Sequence, residues 1–149
     1  MKALLPFCLI LLMGFPPNAF RAFAANPDPG STRVSARIKI PAKLPSFTGR
    51  TLELRLYEFD PRLADVGAEL VDLATQNGFS HTKGKVNKHT IVLGAKGRIK
   101  AGRSYYLTCF VLDQGKRTHI GEKDGRSGLC KVLTGGHPRE VDILFRPVR

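Results

Sequence analysis

The sequence predicts an all-β domain: an antiparallel β-sandwich of seven or eight strands, with room for one short helix. Two observations carry this. Apolar and polar residues alternate with a period of two over most of the chain, and glycine or proline interrupts the alternation at short intervals. A third observation supports it. Tyr105 to Leu112 (YYLTCFVL) is apolar on both faces, as a strand between two layers must be.

The first 24 residues read as a cleavable signal peptide. Lys2 gives the positive start, an apolar run follows from Ala3 to Phe15, and Pro16-Pro17 stops any helix. Ala22-Phe23-Ala24 then supplies small residues for a cut between Ala24 and Ala25. A membrane-spanning helix needs about 20 apolar residues, more than this run offers. Cys8 lies mid-run behind Leu5-Pro6-Phe7, which is not where a lipid-acceptor cysteine stands. Export to the periplasm or exterior is the expectation, with no transmembrane segment after cleavage. Removal takes Lys2 and Arg21 from a chain of net charge +12. Residues 25–32 (ANPDPGST) read as a flexible leader, and residues 33–149 as a single domain.

Val34, Ala36, Ile38 and Ile40 alternate with Arg33, Ser35, Arg37 and Lys39, giving a strand with one buried and one basic face. Leu52, Leu54 and Leu56 alternate with Glu53, Arg55 and Tyr57 in a second strand. Asp60-Pro61 resembles a helix start, and Leu63, Val66, Leu70 and Leu73 keep helical spacing. The expectation is a short helix near 61–68 and a strand from about residue 70. Thr90 to Leu93 forms a further short strand. Tyr105 to Leu112 returns through a turn at Asp113-Gln114-Gly115-Lys116 into Arg117 to Gly121. Gly128 to Leu133 and Val141 to Phe145 complete the set, separated by Gly135-Gly136 and Pro138.

The stretches VSARIKIPAKLPSFTGRTLELRLYEFD (34–60), GRSYYLTCFVLDQGKRTHIGE (102–122) and VLTGGHPREVDILFRPV (132–148) together resemble bacterial envelope proteins of the YbaY type, described as type III secretion pilotin-like lipoproteins. The resemblance spans most of the chain beyond the leader. It implies a small, non-enzymatic, immunoglobulin-like sandwich in the cell envelope. Those relatives are often lipid-anchored through an N-terminal cysteine, and here no cysteine stands in that context. The resemblance brings no catalytic residues with it.

Chemistry-bearing residues are sparse. His81, His89, His119 and His137 include no pair at H-x-H or H-x-x-x-H spacing, and no C-x-x-C accompanies them, so no metal is expected. Ser127, in Asp124-Gly125-Arg126-Ser127-Gly128, is not in a nucleophile elbow and reads as a turn serine. A loop-built hydrolytic or metal site would have to bring His81, His119, Glu122 and Ser127 into one cleft. Cys109 and Cys130 are either a disulfide, which export permits, or two core thiols. No cofactor motif is present.

Charge is the strongest functional signal. Lys83, Lys85, Lys88, Lys96, Arg98, Lys100 and Arg103 lie in one window without an acid. Such a field attracts polyanions. No aromatic residue interleaves these cations, which speaks against nucleic acid. The sequence thus points to a non-enzymatic exported domain that binds or stabilises an anionic envelope component or an acidic protein. A loop-built enzyme and a strand-pairing, chaperone-like or pilotin-like module are the alternatives.

Overall fold

A computed structural model describes residues 28–63 and 65–148. The proposed signal peptide and its cleavage between Ala24 and Ala25 lie outside them. Eight strands follow in order: β1 (Val34–Ile40), β2 (Phe47–Phe59), β3 (Glu69–His81), β4 (Asn87–Leu93), β5 (Ser104–Asp113), β6 (Lys116–Lys123), β7 (Cys130–Val132) and β8 (Glu140–Pro147). The fold is all-β, as the alternation requires. Among the described residues there is no helix, so none is long and apolar enough to cross a membrane.

The sheet runs β3-β2-β5-β6-β8-β1-β4, with β7 paired to β5 off that path. Each alternation found in the sequence becomes one buried face. Ala36, Ile38 and Ile40 meet Leu52, Leu54, Leu56, Leu107, Val111, Ile143 and Phe145 in one core. The sheet curls until its two end strands, β3 and β4, approach each other. They do so without a backbone ladder, although only a short turn joins them. Side chains close the seam instead: Asn87 Nδ2 donates to the Ser80 carbonyl at 3.1 Å, and the Gly94 N–H donates to Asp72 Oδ2 at 2.7 Å. Fold-over sandwich and nearly closed barrel therefore describe the same object.

Three expectations need correction. The sheet is mixed rather than wholly antiparallel, because β1 runs parallel to β8 with Ala36 opposite Val141. The described residues between 61 and 68 form turns and irregular chain, not a helix. Asp60 does serve a helix-cap-like role, its Oδ1 accepting the Arg62 N–H at 3.0 Å, but the chain turns out again before Gly67. The helically spaced Leu63 and Val66 are exposed. Residues 28–32, read as flexible leader, are docked from Gly30 onward. The Ile99 N–H donates to the Gly30 carbonyl at 2.8 Å, and Thr32, 1% exposed, sends its hydroxyl to the Gly94 carbonyl at 2.8 Å.

A carboxylate is buried in this frame. Glu58 is buried, its Oε2 accepting the Tyr105 hydroxyl at 3.3 Å, while the Tyr105 oxygen accepts the Lys100 N–H at 3.0 Å. Burial alone would raise the Glu58 pKa. The Lys100 ammonium, hydrogen-bonded and ion-paired to it, outweighs that effect and holds the carboxyl below its ordinary value.

Candidate binding surfaces

The residues proposed for a loop-built enzyme separate onto two faces of the sheet. His81 and His119 point into the core and pack on Phe47, with ring centroids 5.7 and 5.2 Å away. His81 Nε2 lies 3.3 Å from the Leu44 carbonyl, and His119 Nδ1 lies 3.1 Å from Thr118 Oγ1. Burial, then Arg50 and His81, push the His119 pKa down, so the ring favours its neutral form. Glu122 and Ser127 stand on the opposite face. Glu122 Oε1 accepts the Ser127 hydroxyl at 3.2 Å and Arg146 Nε at 2.8 Å, an arrangement that pins the 124–128 turn to β6. The four never share a cleft. His89 lies edge-on to Phe79 at 5.0 Å, and His137 is exposed in a turn. Among the described residues no three His, Cys, Asp or Glu side chains cluster as a metal site.

Cys109 and Cys130 are free, buried thiols. No strand separates them: β7 pairs directly with β5, and Cys130 sits opposite Leu107, two residues from Cys109. Diagonal neighbours of that kind are about 7–8 Å apart, at or beyond the reach of a disulfide without backbone movement. Burial pushes both thiols up, Cys130 to about 11, which leaves little thiolate at neutral pH. Native protein is therefore expected to resist alkylation, with both thiols labelled only after unfolding. Intact-mass measurement before and after denaturation checks this, and a product unlabelled even when unfolded would mean the bridge forms.

The seven cations of the basic window do not form one patch. Lys83 and Lys85 lie in the β3–β4 turn and Lys88 at the start of β4, whereas Lys96, Arg98, Lys100 and Arg103 lie beyond its other end. Arg98 pairs with Asp28 and Lys100 with Glu58, so two of the latter group are already neutralised. The structure brings a different partner to the first three. The Gly84 N–H donates to the Ala42 carbonyl at 2.7 Å and the Lys83 N–H to Ser46 Oγ at 2.9 Å, which places Lys43 beside them.

An apolar groove is the feature that sequence reasoning missed. On the outer face of β2 and β5, Tyr57 stacks on Tyr106 at 5.2 Å and 18°, and Phe59 meets Tyr106 edge-on at 5.8 Å. The 60–68 connection and the 128–130 segment wall this aromatic floor. Phe59, Pro61, Leu63, Val66, Tyr106 and Leu129 line a groove of about 270 Å³. Leu63, Val66 and Leu129 are each at least half exposed, with Leu70 beside Tyr57 on the same face. The groove's base is fixed by Asp60, whose carboxylate binds the Arg62 guanidinium at 2.9 and 2.7 Å; those bonds hold its pKa well below the usual carboxylate range. Large apolar side chains kept in water at a preformed concavity are what a docking site requires.

No family model and no curated protein matches the chain. Among solved structures, an alternative pilotin from the type II secretion system of Vibrio cholerae is similar over 78% of this chain and 96% of its own, at a TM-score of 0.54 and 16% identity. The fold is pilotin-like. At that identity the likeness extends to the fold alone and carries nothing about the groove or the lysines.

Proposed function

We propose that this pilotin-like protein is a non-enzymatic, exported module of the bacterial envelope that docks a protein partner in the Phe59–Leu129 groove. The carrying observation is that groove: Phe59 and Tyr106 as an aromatic floor, and Leu63, Val66 and Leu129 exposed around it. The neighbour's description as a type II secretion pilotin supports a partner from a secretion assembly, and the YbaY-type sequence pattern supports the same envelope setting. An apolar face of an amphipathic protein segment fits the lining better than a polar small molecule does. Strand pairing is the weaker alternative, because Asp72 and Asn87 tie the two sheet edges to each other.

Photo-crosslinking residues placed at Leu63 and Leu129 should trap the same envelope protein, while one at Gln114, in the β5–β6 turn, should not. Val66→Asp should abolish the adduct, since a central apolar contact is worth about 2 kcal/mol or more and so roughly thirtyfold in affinity. Equal adducts at Gln114, or none at either groove position in intact cells, would remove the basis for this reading.

A further inference from the structure

The two loops at the opposite end of β2 from the groove carry charge that nothing in the fold uses. Loop 41–46 and turn 82–86 are stitched together by the Gly84–Ala42 and Lys83–Ser46 hydrogen bonds, and a third bond, Lys85 N–H to the Thr82 carbonyl at 3.1 Å, tightens the turn. His81, buried beneath, anchors the same loop through the Leu44 carbonyl. This shared base presents Lys43, Lys83, Lys85 and Lys88 to solvent, and none of the four makes an ion pair among the described residues. Neither loop contains an acid. On the adjoining rung Lys39 stands opposite Lys88, extending the field over β1, where Asp142 is the acid that faces it.

An apolar element sits inside this ring of cations. Val86, between Lys85 and Lys88, is 58% exposed, and Pro45 is exposed on the neighbouring loop. A soluble polyanion has no use for exposed valine. A bilayer surface does: shallow apolar contact at the headgroup boundary combines with lysine attraction to anionic lipid.

We propose that the stitched loops 41–46 and 82–86 form a docking surface for a bilayer rich in anionic phospholipid, with Val86 at the headgroup boundary and the four lysines on phosphate groups. This surface is separate from the groove and stands or falls independently of it. It would hold the module against a membrane while the groove faces away.

Co-sedimentation with vesicles tests it. The protein should bind vesicles containing phosphatidylglycerol far better than pure phosphatidylcholine, and less as salt rises, because exposed charges are screened within about 8 Å at physiological ionic strength. Lys43, Lys83, Lys85 and Lys88 changed together to Gln should reduce binding by about fivefold per lysine, on the order of a hundredfold or more in all. Val86→Asn should weaken binding a few fold at every salt concentration. Lys96→Gln with Lys116→Gln should change little. All variants share one N-terminus, so differences among them report the loops, and an unchanged melting temperature shows that the fold is intact. Full binding by the quadruple variant, equal binding to neutral vesicles, or capture by dextran sulfate with none by anionic vesicles would overturn the proposal, the last in favour of a polysaccharide.

Discussion

Gly94→Ala is expected to lower stability by about 2–5 kcal/mol, a large share of the roughly 5–15 kcal/mol that holds a domain folded. Gly94 has φ +68°, a conformation that disfavours any side chain by about 1–2 kcal/mol. A Cβ there would also lie 2.2 Å from the Thr32 carbonyl oxygen and 2.8 Å from Leu56 Cδ2. Neither neighbour has room to move. Leu56 is fully buried, and Thr32 is held by its hydroxyl to the Gly94 carbonyl and by its N–H to the Gly97 carbonyl at 3.0 Å. The substitution therefore loosens residues 28–32 and the side-chain seal between β3 and β4 together, since the Gly94 N–H is what Asp72 holds. Gly78→Ala is the control. Gly78 has φ +70° but nothing within 4 Å of its would-be Cβ, so it carries the backbone strain without the collision. Urea unfolding should find Gly78→Ala about 1–2 kcal/mol less stable than the parent. Equal losses for the two variants would mean that the packing of residue 32 under the 94–97 turn contributes nothing.

The strands were legible because each buries one face, and alternation records which. Val34 to Ile40 and Leu52 to Leu56 became core rows as their patterns required. Parallel pairing of β1 with β8 was not legible, because one strand's pattern names its buried face but not its neighbour. Residues 61–68 misled for a physical reason. Leu63, Val66 and Leu70 keep helical spacing, but the spacing serves an exposed wall and not a buried stripe. A signal for the groove did exist. Tyr57 falls in the outward phase of β2, with Glu53 and Arg55, where an aromatic has no core to enter. The basic window showed the opposite failure. A run of sequence seemed to be one patch, whereas a strand divides it and Lys43, far off in sequence, completes its useful half.

Phe47→Ala should have the other large effect, and it reads out in pH as well as in stability. Phe47 is 6% exposed and touches Phe79, His81 and His119, with the Arg50 guanidinium 4.9 Å above its ring. Truncating a buried phenylalanine costs about 3–5 kcal/mol through lost transfer and the cavity left behind. The same change admits water to His119, whose lowered pKa comes first from burial. In the unfolded chain that histidine titrates near 6.5. As pH falls through that value the unfolded state takes up a proton that the folded state refuses, so stability falls with it, until the lower folded pKa is passed. The parent should therefore lose stability between about pH 7 and pH 5, above the range in which carboxylates titrate. Glu58 and Asp142, whose pKa values are lowered, add their losses only below that window, from about pH 4.5 down. With Phe47 replaced by Ala the slope between pH 5 and 7 should flatten, because hydration relieves the largest cause of the lowered His119 pKa and leaves only the repulsion from Arg50 and His81. Phe47→Leu retains most of the cover, should cost less than about 1.5 kcal/mol, and should keep the slope. Urea midpoints for the three proteins at pH 5, 6, 7 and 8 decide the matter. An undiminished acid slope in Phe47→Ala would place the origin of the pH dependence elsewhere than under this ring.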